Sequence, residues 1–553
     1  MLQPSATGGV RPPSVATVTL TPLARSRAAA RKPGRLGRWL PPSADAIAWV
    51  AMVALAAVCA GSPTERDPYW EARAGIENLT GTPLARPDAW SWSPVDRLFY
   101  PNSPLWNYLL GLSWWGGGFW GLFLFAFTAI LTLFALSYLL ARRLGAHPLA
   151  ALAGLLFAFA WAMPMVSSRA TIGVQILFTT GICLAMWWRA RIPRHSALVN
   201  GLWVGAASTA IGVLGNWVHL SFFSLGPLLG AACGVYWMVS DWSDSWRARV
   251  RDARRWALVV ATELGMVIGS LSTPYGVAGT LARSRETALS SSTAILEWVS
   301  PFHPGILERW PLMLRWSVAG VVAAVTVVCF VVWLTRTLRR GNLDNRRAAI
   351  IAIGCLAVPF AVAGEIWLRF LGVFTLLFIP VWGVAITWVA HRARARADRL
   401  PDGSPFHETA HRWTRTGPWR TVLTIVCGLL LPFAVWMGPV AHAVPPELQA
   451  IRALPSGCRL FSTAAIAAPA ILTRPDVKVW YDGRADYYGL ARLTDSETYF
   501  TGLSATAAPP GATCAILPAL TQKDGLPLVT ARMRADSSWR FVGTYNGFDL
   551  WLR

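Results

Sequence analysis

The chain has 553 residues, is 54% hydrophobic and only 14% charged, and has a mean hydropathy of +0.42. Soluble globular chains carry roughly a quarter charged residues, so this composition excludes an ordinary soluble domain. The formal net charge of +22 does not mark a nucleic-acid binder, because the basic residues gather between long apolar stretches.

Residues 1–43 hold seven Lys and Arg and no acid, and are rich in Pro, Ala and Ser. They read as a disordered basic cytoplasmic tail before a signal-anchor span, with no cleavable signal peptide. Apolar stretches then recur, each near the ~20 residues that cross a bilayer. Eleven spans are predicted, near 44–61, 117–140, 148–167, 170–188, 197–217, 220–238, 257–273, 311–334, 349–364, 369–390 and 421–441. Arg clusters alternate with them: Arg142/Arg143, Arg189/Arg191/Arg194, five Arg at 247–255, five at 336–347 and seven at 392–420. The intervening segment 62–103 carries four Arg against six acids. The positive-inside rule then places the N-terminus in the cytoplasm and the C-terminus outside, in the plasma (inner) membrane of a bacterium.

The first outer loop, 62–116, is long and aromatic. It contains Asp67, Tyr69, Trp70, Trp90, Trp92, Tyr100, Trp106, Trp114 and Trp115. Tyr and Trp favour the membrane interface, but an aromatic belt does not need so long a loop. Asp67 opens Asp67-Pro-Tyr-Trp-Glu-Ala-Arg-Ala-Gly75, predicted as an interfacial helix over 67–80. Asp before Pro is a good helix start. It is also a carboxylate at the mouth of the first span, where a general base would sit. Segment 104–115 is expected to lie flat on the bilayer.

Other polar groups fall at outer span ends: Arg169, Asn216 and His219 at one turn, Glu297, and Glu365 with Arg369. Ionisable groups near a membrane are costly and often functional. Arg169 and Arg369 suit a phosphate through charge-assisted forks, and His219 suits a phosphate or a proton. Each also has a plain reading as a solvated turn or helix cap. No His-Glu-x-x-His, paired Cys-x-x-Cys, Asp-x-Asp or Walker motif is present, so ATP hydrolysis is not expected and no motif for a divalent cation is found.

After 441 the texture changes. Short apolar runs at 458–463, 477–481, 513–518 and 539–543 alternate with helical composition at 464–472, 495–503 and 523–534, and Asn546-Gly547 is a hairpin turn. This predicts a small α/β domain over 442–553, outside the cytoplasm, with a disulfide between Cys458 and Cys514 on adjacent strands. Tyr481-Asp-Gly-Arg-Ala-Asp486 places Asp482 and Arg484 at a strand end, where α/β sheets bind ligands. An Arg–Asp pair that merely holds the loop is the competing reading.

The motifs 67–75, Trp90-Ser-Trp-Ser93, Asn216-Trp-Val-His219, Ser272-Thr-Pro-Tyr-Gly276, Glu297-Trp-Val-Ser-Pro301 and 482–489 occur in that order. In this series the chain, from about 44 to 553, resembles bacterial polytopic membrane proteins related to the GT-C glycosyltransferases. The resemblance implies an α-helical polytopic membrane protein of about 11 transmembrane helices, GT-C-like over 44–441. It also implies a polyprenyl-phosphate-linked sugar donor, an outer-leaflet acceptor that is an envelope glycan or lipid, and inversion at the anomeric carbon. The catalytic carboxylate of the first outer loop maps onto Asp67. Glu65 and Glu71 are its nearest acidic companions, neither with a defined second role, and the metal requirement stays open. On this reading Arg369, Arg169 and His219 bind donor phosphate, and Trp70, Asn216, Glu297, Asp482 and Arg484 contact substrate. Membrane lipids are expected partners, and nucleic acid is not. A flippase of lipid-linked sugars, which would need ionisable groups at mid-depth such as Glu263, and a non-catalytic envelope-assembly scaffold are the alternatives.

Overall fold

The computed structural model describes residues 44–61, 66–162, 166–192, 196–240, 250–291, 298–308, 313–341, 343–397, 443–519 and 528–553. The tail 1–43, the predicted span at 421–441, Glu65 and Glu297 lie outside them. Ala44–Arg553 forms one compact unit.

Every predicted span before the last coincides with a helix. They are α1 (Ala44–Ala60), the second half of α3 (Pro104–Leu144), α4 (Pro148–Ala162), α5 (Ala170–Arg189), α6 (Ala197–Val218), α7 (Phe222–Val239), α8 (Ala253–Leu271), α10 (Val318–Arg340), α11 (Asn345–Ile366) and α12 (Arg369–Ala397). Among the described residues seven are long and apolar enough to cross a membrane: α3, α5, α6, α7, α10, α11 and α12. A bent pair, α8 with α9 (Gly276–Ser291), brings the number to eight, and α1 and α4 are shorter apolar helices. The chain is a multi-pass membrane protein.

Two helices of the first loop precede the second span. α2 (Asp67–Leu79) forms where the sequence predicts it. Pro104 then opens α3, which runs to a break at Gly117–Gly118 before the membrane-crossing part begins. Gly118 has φ 55° and ψ −132°, a combination open essentially to glycine alone. The run Gly116-Gly-Gly118 is therefore the local cause of the break, and 104–116 is a separate helix rather than part of the span.

The C-terminal region is a five-stranded sheet in the order β2-β1-β3-β5-β4. Its strands are β1 (Arg459–Ser462), β2 (Lys478–Val479), β3 (Cys514–Pro518), β4 (Arg540–Tyr545) and β5 (Phe548–Leu552). β1 pairs parallel with β2 and β3, and β5 pairs antiparallel with β3 and β4. α13 (Ala464–Thr473), α14 (Ala485–Phe500) and α15 (Leu528–Ala535) connect the strands. Asn546 and Gly547 both take positive φ in the β4–β5 hairpin, 48° and 83°, as a tight hairpin turn requires.

The first loop extends this sheet. Trp92 donates its backbone N–H to Val479 at 3.0 Å, and Val479 donates to Trp90 at 2.9 Å, so residues 90–92 lie beside β2 as an added parallel segment. Trp70, Trp90 and Phe99 of the loop share one apolar core with Val479, Tyr487 and Leu550. The loop and the C-terminal sheet bury their apolar faces against each other.

Cys458 and Cys514 are disulfide-bonded, with Cα atoms 6.0 Å apart and a sequence separation of 56. Closing a loop of that length removes about 4 kcal/mol of denatured-state entropy in the chain-entropy account. A Cys458→Ser/Cys514→Ser double variant should unfold at a lower temperature than the parent. Reducing agent should lower the parent's midpoint and leave the variant's unchanged. Equal midpoints for parent and variant would count against a stabilising bond.

Candidate active site

Asp67 is the first residue of α2, with Pro68 following. Its Oδ1 accepts the indole N–H of Trp70 at 2.9 Å, one turn on. Its Oδ2 lies 3.9 Å from Nη2 of Arg169, and the two side chains stay about a quarter to a third exposed, 30% and 24%. The carboxylate is thus oriented by a buried indole but still reachable from outside. Trp70 itself is buried edge-on against Phe99, so it positions Asp67 and offers no open ring to a ligand.

The loop after β2 closes over the same carboxylate. A Cβ placed on Gly483 would come within 2.3 Å of Asp67 Oδ1 and 3.2 Å of the Trp70 indole nitrogen. Only a residue without a side chain allows this approach. Asp67 therefore sits at the seam between the first loop and the C-terminal region.

One turn along α2, Glu71 is buried, and its Oε2 meets no hydrogen-bond partner. Burial, with the Asp67 charge adding to it, raises its pKa well above the usual carboxylate range. Both causes disfavour a charge on Glu71.

Arg169, His219 and Arg369 come together on this face. Burial lowers the His219 pKa to about 4, and the Arg369 and Arg169 guanidiniums add to that while Asp486 opposes it. His219 Nδ1 accepts the backbone N–H of Ser221 at 3.1 Å and lies 2.7 Å from the Ser221 hydroxyl oxygen. In the neutral ring the proton is then on Nε2. His219 is an uncharged donor at neutral pH, so the positive charge of the cluster comes from the two arginines.

Their placement is unfavourable for helix stability. Arg169 is the N-cap of α5 and Arg369 the first residue of α12. A helix N-terminus already carries roughly half a positive charge, and cations are favoured at the other end. The chain follows that preference elsewhere, with Arg142 and Arg143 in the last turn of α3 and Arg339 and Arg340 in that of α10. Two guanidiniums and two helix N-termini near one another concentrate positive potential on this face, a setting that suits an anion. Arg369 also stacks on Trp298, 4.7 Å from the ring centroid.

A second ring of residues ties the segments together; of these, Asp486 stands on the strand-end loop read from sequence as a ligand site, whereas Asn102 and Arg283 were not singled out. Asn102 donates to Asp486 at 2.9 Å and accepts from Arg283 Nε at 3.2 Å, and Arg283 also pairs with Asp486. The Asn102 carbonyl accepts from Leu220 N–H at 2.8 Å, next to His219. Tyr275 of the Ser272–Gly276 motif donates to the Pro101 carbonyl at 2.8 Å, at the 79° bend between α8 and α9. Loop, α9 and α14 are held to the His219 turn by these bonds. Nothing local in the sequence signals them, since Arg283 is one of several arginines and its partners are 181 and 203 residues away.

Three expected substrate contacts are placed elsewhere. Asn216 is fully buried between α6 and α8, where it donates to the Ser270 carbonyl at 2.7 Å; it joins helices and cannot touch a substrate there. Asp482 and Arg484 are also fully buried. The Arg484 guanidinium binds Asp482 at 2.6 Å and Asp88 at 3.0 Å, lies against the rings of Trp90, Phe99, Tyr487 and Tyr488, and Asp482 further accepts from the Tyr488 hydroxyl at 2.9 Å. Their hydrogen-bonding capacity is spent inside the protein, and the pair holds the loop to the sheet. Glu297 lies outside the described residues. No group of three or more His, Cys, Asp or Glu is arranged for a metal ion among the described residues.

No protein-family model and no curated protein sequence matches this chain. Solved structures do. The Archaeoglobus fulgidus oligosaccharyltransferase, tethered to an acceptor peptide with an NVT sequon, aligns with a TM-score of 0.50 and 12% identity, over 87% of this chain and 70% of that one. ArnT from Cupriavidus metallidurans, bound to undecaprenyl phosphate, aligns with a TM-score of 0.49 and 14% identity, over 91% and 97%. At these identities the likeness is one of fold. That fold is a polytopic helical membrane domain with a small C-terminal sheet.

Proposed function

We propose that this GT-C-like chain is a membrane glycosyltransferase that moves a sugar from a polyprenyl-phosphate donor to a cell-envelope acceptor. One observation carries the reading. A partly exposed carboxylate, Asp67, stands beside the positive potential of Arg169, Arg369 and two helix N-termini. The fold likeness to an oligosaccharyltransferase tethered to an acceptor peptide adds support.

On this reading the acceptor hydroxyl approaches the seam where Gly483 meets Asp67. Asp67 takes its proton as the oxygen attacks the anomeric carbon, and the lipid phosphate leaves from the opposite side with inversion. The leaving group is already an anion, so it needs charge stabilisation rather than a strong acid. Arg169 and Arg369 supply the charge, and neutral His219 supplies a hydrogen bond at most. Glu71 is buried with its pKa raised, and Glu77 is paired with Arg73 and Arg86, which leaves Asp67 as the acid of α2 best placed to meet an acceptor. Among the described residues no group of three or more His, Cys, Asp or Glu is arranged for a metal ion, and no step is routed through one.

Two outcomes test the arrangement. Arg169→Gln and Arg369→Gln should each raise the KM for the lipid-linked donor and lower kcat, by roughly 10²-fold in kcat/KM for a lost charge-assisted contact to phosphate of about 3 kcal/mol. Unchanged donor kinetics in both variants would remove phosphate binding from this cluster. The orientation is tested separately. A reporter active only outside the cytoplasm, fused after Arg553, should be active, and a well-expressed inactive fusion would place the Asp67 face on the wrong side of the membrane.

A further inference from the structure

A second feature lies at the other end of the bundle. α5 starts at the Asp67 face, with Arg169 as its cap, and ends at Arg189, about 30 Å away at 1.5 Å per residue. Around its last turns, with α6, α7 and α8, is a slot of about 520 Å³, within the range of small-molecule sites. Its inner walls are apolar, with Ile211, Cys233 and Met266 among them, and Trp187, Trp188 and Trp203 form its flank. Trp187 and Trp203 are exposed, so the slot opens sideways, toward lipid.

The slot has a polarity. Among the described residues Arg191 is the one charged lining residue, at the end where α5 stops. The guanidinium lies 3.5 Å from the Trp187 ring centroid and donates to the Trp187 carbonyl at 3.2 Å, which fixes it at the mouth. Arg189 precedes it in the last turn of α5, and the nearby Arg255 pairs with Asp252 at 3.2 Å. From Gly181 to Arg189 the helical wall runs roughly 12 Å inward, close to half of the ~30 Å hydrocarbon core. Indoles belong at that interfacial depth. The combination is a cation at the membrane surface, an indole collar below it, and an apolar channel that ends near mid-bilayer.

We infer that this slot holds one anionic phospholipid of the surrounding bilayer, its phosphate on Arg191 and an acyl chain between α5, α6 and α8. The dimensions fit a single leaflet's chain, and the cation at the mouth favours an anionic headgroup over a zwitterionic one. This site is separate from the Asp67 cluster, and the inference stands whether or not the chain transfers sugar.

The test is native mass spectrometry of the purified full-length chain, exchanged into mixed micelles with equal phosphatidylglycerol and phosphatidylcholine. One retained phosphatidylglycerol per chain is expected. Arg191→Gln, a change at the mouth, should lower the preference for phosphatidylglycerol by roughly fivefold, the effect of one basic residue at a membrane surface. Ala207→Trp, which fills the slot from its exposed side, should remove the retained lipid altogether. The proposal is overturned if Arg191→Gln keeps the same preference, if Ala207→Trp keeps the same adduct at normal folding, or if a polyprenyl phosphate copurifies in place of the phospholipid.

Discussion

Asp67→Asn lowers sugar transfer by a factor of about 10²–10⁴, the usual contribution of a positioned general base, while expression and thermal stability stay near those of the parent. The two halves of this expectation have different causes. Asparagine keeps a carbonyl oxygen for the Trp70 indole N–H, now held at 2.9 Å. What the fold loses is an ion pair with Arg169 at 3.9 Å between partly exposed side chains, and such pairs contribute about 0–1 kcal/mol. The chemistry loses the carboxylate that would take the proton, and Glu71, buried and with its pKa raised, is poorly suited to replace it. The measurement is the level of lipid-linked sugar intermediates in cells that carry either allele at matched protein levels. Full transfer by Asp67→Asn would reduce Asp67 to a helix start.

Arg484→Met has the opposite signature, a loss of the fold with the site residues untouched. It leaves Asp482 and Asp88 buried side by side, at 0% and 1% exposure, without the guanidinium that bridges them. Removing one partner from such a cluster costs about 3–5 kcal/mol. The expected result is a low yield of full-length protein and protease cleavage between the first loop and the C-terminal sheet. A triple variant that also carries Asp482→Asn and Asp88→Asn should recover part of the stability, since the uncompensated charges are gone. If Arg484→Met alone is as stable as the parent, the buried triad is not what holds the two parts together.

Much of the fold was legible because its signals are local. Span length, arginine alternation, the Pro104 start, the Asn546-Gly547 hairpin and the strand–helix rhythm after 441 each depend on a few adjacent residues. The disulfide was legible at one remove, from two cysteines in runs that had to be neighbouring strands. The break at Gly117–Gly118 follows from three consecutive glycines, and it separates 104–116 from the span, as its composition suggested. The site was legible in part. Asp67, Arg169, His219 and Arg369 stood out as polar groups at span ends, and the structure gathers them. The sequence could not tell which conspicuous polar residues were consumed internally. Arg484 looked like a ligand-facing arginine because its second carboxylate, Asp88, lies 396 residues earlier. Asn216 looked like a turn residue, yet one turn of helix carries it into the α6–α8 contact. The charge of His219 was equally hidden, since it depends on burial and on two arginines from other helices.

The bonding of residues 90–92 to β2 bears on how the chain is made. Ser91 and Trp480 meet across 389 positions of sequence. At the usual ~5–20 residues per second of synthesis, the first loop waits about 20–80 s for the strand that completes it. During that interval Trp70, Trp90 and Phe99 have no apolar partner from the sheet, and Asp88 has no guanidinium. The loop is then a client in search of cover, beside a membrane surface that suits its rings. A chaperone or the bilayer itself must occupy it until the last hundred residues emerge. Nonsense mutations near the 3′ end of the gene would thus damage the first loop, and with it Asp67, as surely as a change in the loop itself.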